Sequence, residues 1–165
     1  TMAENEAALR AGRLDAMQVF QPYAEAPVAD GAGHIWYAQA SRGFTAYTSF
    51  YALRRTIAAK RDEFQAMARA MTRTLRWVEN HSGAELAEAA AAYFPDVPSA
   101  IFAAANERYK ALGLWATDPV NSREGFDRLK AAMLIDRFIT RDSPYEECVN
   151  TTLAMAAKSA HLAPL

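Results

Sequence analysis

Five residues have the types and spacing to meet a small ligand. Phe20, Gln21 and Tyr23 stand together where an apolar run, Leu14 to Phe20, gives way through Pro22 to helix-forming sequence. A turn from strand into helix leaves backbone N–H groups unpaired at the positive end of the helix dipole. Gln21 adds a neutral amide that both donates and accepts, which suits a polar, uncharged or weakly anionic partner. Tyr47 and Thr48 form the second set, since a tyrosine can stack on a flat ligand and hydrogen-bond through its hydroxyl. Trp36 is a weaker third candidate. All of these residues also fit a plainer role: Phe20 and Tyr23 as core residues, Gln21 as a helix starter, and alternate residues of "TAYTSFY" packing on a sheet. At the level of residue types both readings stand.

Catalytic and metal chemistry find little support. His34, His81 and His161 are far apart with no metal-ligand spacing, and neither a Gly-x-Ser-x-Gly elbow nor a phosphate loop occurs. Cys148 is the lone cysteine, which excludes an internal disulfide and a cysteine-based zinc site, and it reads as a small buried residue. No cofactor, metal or catalytic residue is expected. The net charge of -1 gives no hint of nucleic acid, and Arg54, Arg55, Lys60 and Arg61 form only a local cluster. "AELAEAAAAYF" is too short, and too interrupted by Glu85 and Glu88, to span a bilayer.

The elements that must hold these residues fall into two parts. Residues 3 to 11 suit a short helix stopped by Gly12. Residues 14 to 20 read as a strand, 22 to 29 as a helix, "HIWYA" as a second strand and "GFTAYTSFYAL" as a third. Beyond Thr56 the period changes. Phe64, Met67, Met71, Leu75 and Val78 mark the buried stripe of a helix over 62–81. Further helices are expected over 84–94, from a Ser99 cap to Leu112, after "NSREGF" with Phe126, Leu129, Met133 and Leu134 inward, and over 145–158. Strands gathered near the start, before a long helical remainder, leave the sheet short of partners.

The order "LRAGRLDAMQVFQPYAE", "SRGFTAYTSFYALRRTIAAKRDEFQAMARAMTRTLRWVENH", "YFPDVPSAIFAAANERYKALGLWATDPVNSREGFDRLKAAML" and "PYEECVN" resembles the C-terminal half of ABC-transporter substrate-binding proteins. The branch is the one that binds nitrate, sulfonates, taurine and thiamine-pyrimidine precursors. The resemblance implies an α/β fold, the C-terminal portion of a periplasmic-binding-protein type II fold, helix-rich with a few strands near the N-terminus. It assigns 1–40 to the end of lobe two and the crossover, and 41–165 to the return to lobe one with its closing helices. The chain is then expected to be a truncated or cleaved part of a two-lobed protein, its sheet completed by the missing N-terminal half or a second copy.

In function the resemblance implies a non-enzymatic solute-binding component of an ABC importer, periplasmic or lipid-anchored outside the cytoplasm. Its partners would be a small-molecule ligand and a membrane permease. Gln21 and Tyr23 would supply polar and stacking contacts from one lobe, with Tyr47 and Thr48 near the hinge. Relatives often carry Trp-Glu-Pro-Tyr at this turn, so Gln21 in the acid's place argues against a pyrimidine-amine ligand. Two alternatives remain: a helical protein-interaction module presenting Met67, Met71 and Met133, and more distantly a pyrimidine-synthase-like enzyme, whose cysteine-rich iron motif is not found in these residues.

Overall fold

A computed structural model describes residues 1–165 and divides them into two compact units. The first holds Thr1–Ser41 and Asn80–Trp115; the second holds Arg42–Glu79 and Ala116–Leu165.

Helices in the first unit begin and end where side-chain chemistry allows. α1 (Met2–Arg10) opens with a capping box in which Thr1 and Glu4 satisfy each other's backbone N–H groups. It closes at Gly12, whose φ of 66° lets Gly12 N–H reach Leu9 and Arg13 N–H reach Ala8. α2 (Glu25–Ala29) is a short helix following the cis Gln21–Pro22 peptide. Much later in sequence come α5 (Gly83–Ala90), capped by Ser82 and Glu85, and α6 (Ser99–Ala111), closed by Gly113 in the same manner as α1.

α5 and α6 pack tightly against each other. A Cβ at Gly83 would strike the Ala103 carbonyl oxygen and come within 2.8 Å of the Glu107 backbone nitrogen, so only glycine permits this approach. The buried apolar side chains here are Leu86, Ala87 and Ala105, with Phe94 tilted against Phe102 at 4.9 Å. Glu107 accepts the Gly83 N–H, and Lys110 donates to the His81 carbonyl.

The second unit is built around α4 (Arg61–Asn80), which follows the short α3 (Arg54–Ala59). The expected stripe of Phe64, Met67, Met71, Leu75 and Val78 is half-buried, and Thr72 is the fully buried side chain, returning its hydroxyl proton to Ala68 O at 2.8 Å. Polar side chains of α4 fasten the C-terminal segment: Gln65 donates to Leu153 O, Arg73 to Ala163 O and Pro164 O, and Arg76 to Lys158 O. α7 (Arg123–Ile135) is capped by Ser122 and ends on Arg137, at φ 56° in the left-handed region that glycine usually occupies. α8 (Tyr145–Cys148) docks Tyr145 edge-on against Phe126 at 5.5 Å, and α9 (Thr152–Lys158) buries Ala157.

Several expectations need correction. No strand forms: residues 14–20, 34–38 and 43–53 are extended or irregular backbone without a ladder. A strand exists only beside a neighbour in register, and none of these segments has one: no ladder joins 14–20 to 34–38 within the first unit, and 43–53 lies in the second. The few strands near the N-terminus are therefore absent from the fold. The tail forms two short helices rather than one, because Val149 takes an extended conformation between them. Pro98, not Ser99, occupies the cap position of α6. Cys148 is exposed rather than buried, standing at the end of a single-turn helix.

Candidate functional site

Gln21 is the best-defined of the candidate residues. It immediately precedes the turn into α2, and its side chain reaches forward one helical turn to Glu25: Oε1 accepts the Glu25 N–H at 2.9 Å, and Nε2 donates to Glu25 Oε2 at 3.2 Å. Its own backbone N–H donates to the Tyr109 hydroxyl on α6 at 3.1 Å. Tyr109 in turn meets Trp115 edge-on at 5.9 Å. Phe20 and Tyr23 flank Gln21 in sequence, Phe20 59% exposed and Tyr23 half-buried.

Beneath this turn lies a buried charge. Glu25 is only 5% exposed. Arg108 meets it with both arms of its guanidinium, Nε to Oε2 at 2.5 Å and Nη2 to Oε1 at 2.9 Å. These hydrogen bonds hold the Glu25 carboxyl below the usual carboxylate range against the opposing effect of burial, and they raise Arg108. Ala104, Glu107, Ala111 and Leu112 complete an open groove of about 590 Å³ around the pair. The first unit thus brings Phe20, Gln21 and Tyr23 together and adds Glu25, Arg108 and Tyr109.

Tyr47 and Thr48 lie in the second unit. The extended segment that carries them is pinned to the start of α7, where Ala46 N–H donates to Gly125 O at 2.9 Å. Gly125 is essential to that contact, since a Cβ there would come within 2.9 Å of the Ala46 nitrogen. Beside it Arg128 donates to Arg42 O. The result displays Tyr47, 78% exposed, and Thr48, also exposed. Trp36, in the first unit, is 87% exposed.

The alternatives fare differently. Met67, Met71 and Met133 are partly buried, so the methionines do not form an open surface. No group of three or more His, Cys, Asp or Glu side chains is placed to hold a metal ion. No helix is long and apolar enough to cross a membrane.

Comparison with known proteins supplies the class. Residues 1–93, which include all five candidate site residues, match the NMT1-like family. A protein of Bacillus subtilis (strain 168) named "Putative binding protein YtlA" is 26% identical over 148 residues, covering 89% of this chain and 44% of the relative. The chain thus spans less than half the length of this curated relative. No solved structure matches. The chain belongs to the NMT1-like family, and the substrate-binding family recognised from the order of its segments is borne out.

Proposed function

We propose that this chain is part of a solute-binding component of an ABC importer, acting outside the cytoplasm and without catalysis. The observation that carries the reading is the NMT1-like match across every candidate site residue, joined by a relative named as a binding protein. Two further features support it. The Gln21 turn offers a neutral donor and acceptor beside an aromatic pair, and Tyr47 stands exposed on a segment fixed by α7.

On this reading the intact protein has a periplasmic-binding-protein type II fold. A small polar organic molecule or oxyanion is captured between the lobes, and the closed form is recognised by a membrane permease. Closure follows because the ligand has more contacts in the closed state than in the open one. The extended aromatic segments pair with strands from outside these 165 residues or from a second copy.

Calorimetric titration with nitrate, taurine, a short alkanesulfonate and an aminopyrimidine tests the proposal, on this chain and on any longer protein containing it. At least one of the first three is expected to bind. Tyr47→Ala should weaken that binding by about tenfold, the loss of roughly 1.4 kcal/mol of stacking and hydrogen bonding. An unchanged affinity removes Tyr47 from the site, and binding of none of the four by the longer protein removes this ligand class.

A further inference from the structure

The amide of Gln21 is polarised by its partners. Oε1 faces a backbone N–H and Nε2 faces a carboxylate, both belonging to Glu25. Turned over, the amide would set oxygen against carboxylate and N–H against N–H, so ionised Glu25 admits one orientation. A carboxylate as buried as Glu25 stays ionised only with a partner. That partner is Arg108, whose planar fork engages both oxygens in a way that the point charge of a lysine does not reproduce.

We propose that Arg108 is a positioning residue for Gln21: by pairing both oxygens of Glu25 it fixes which donor and acceptor of the Gln21 amide remain for a ligand. This rests on the reading of Gln21 as a ligand contact. Gln21 keeps one Nε2 hydrogen and one Oε1 lone pair beyond those that Glu25 uses. Because Arg108 cancels the charge of Glu25, the turn presents this neutral pair rather than a net negative charge, and it disfavours an ammonium group. The other charged group on the groove is Glu107, already engaged with the Gly83 N–H; Asp30, at the far end of α2, is paired with Arg10 of α1.

Side-chain amide spectra of the 15N-labelled 165-residue chain test the proposal without any ligand. The chain has four glutamines, so the Gln21 signal is identified by its loss in Gln21→Ala. In the unaltered chain that signal should hold steady from pH 7 through the ordinary carboxylate range. In Arg108→Gln it should shift at pH 7 and then titrate with Glu25, at a higher pH than in the unaltered chain because the hydrogen bonds that lower the carboxyl are gone and burial remains. Glu25→Gln should abolish the titration, which a general loosening of α6 would not do. Arg108→Lys keeps the charge without the fork, and it should displace the Gln21 signal in the direction of Arg108→Gln. A Gln21 signal that is unmoved at pH 7 and pH 4 in Arg108→Gln, or in Arg108→Lys if the first variant does not fold, overturns the proposal. Taurine and nitrate binding by Gln21→Ala separately tests the ligand role of Gln21.

Discussion

The Glu25–Arg108 pair has a stability signature that follows from its sign. Hydrogen bonding to Arg108 lowers the Glu25 pKa relative to the unfolded chain, while burial works against it. Its contribution is therefore fully present above the ordinary carboxylate range and is lost as pH falls through the lowered folded value. Arg108→Gln strands a buried carboxylate, which costs about 2–4 kcal/mol at neutral pH, toward the low end because the arginine itself is partly exposed. In acid the variant protonates Glu25 and sheds the penalty. Urea denaturation at pH 7 and pH 4 should show the gap between variant and parent narrowing; equal gaps would place the loss elsewhere. Residue types alone pointed to Gln21 but not to this pair. Glu25 falls within the helix expected over 22–29 and is not set apart by type, and nothing in the spacing of residues 83 apart announces Arg108.

Among the elements, the α5–α6 contact makes the clearest prediction. Replacing a helical glycine by alanine usually stabilises by about 0.5–1 kcal/mol. At Gly83 the sign should reverse, because the new methyl meets the Ala103 carbonyl and the Glu107 backbone; a loss of about 1–3 kcal/mol is expected in equilibrium denaturation. The helices were largely legible in the sequence for physical reasons. Gly12 supplies a left-handed stop to α1, the period of Phe64 to Val78 runs the length of α4, and "NSREGF" opens α7. The extended segments were legible as backbone with aromatic and β-branched residues, yet they form no sheet. Local sequence sets the conformation of a strand but not the presence of its neighbour. The same limit explains Tyr47: its exposure depends on Ala46 meeting Gly125, a contact across 79 residues that local pattern does not encode.

For the molecule as a whole, the exposed aromatic surface matters most. Phe44, Tyr47, Phe50 and Tyr51 all stand exposed on one short segment, Tyr51 at 97%. Extended backbone with such side chains is a template for pairing. Sedimentation velocity should show concentration-dependent association of the 165-residue chain, reduced by Phe50→Lys with Tyr51→Lys; a monomer at every concentration would contradict this. The partition of the chain carries a different consequence, for the order in which the protein can be made. Each unit is assembled from two separated stretches, and the backbone passes from one unit to the other after residues 41, 79 and 115. Emerging from the ribosome, the first unit is incomplete until residue 115 has been added, and the second until residues 116–165 have followed. Neither can be expressed alone by cutting the gene at one point, so residues 1–41 must remain in reach of 80–115, and 42–79 of 116–165, as synthesis proceeds.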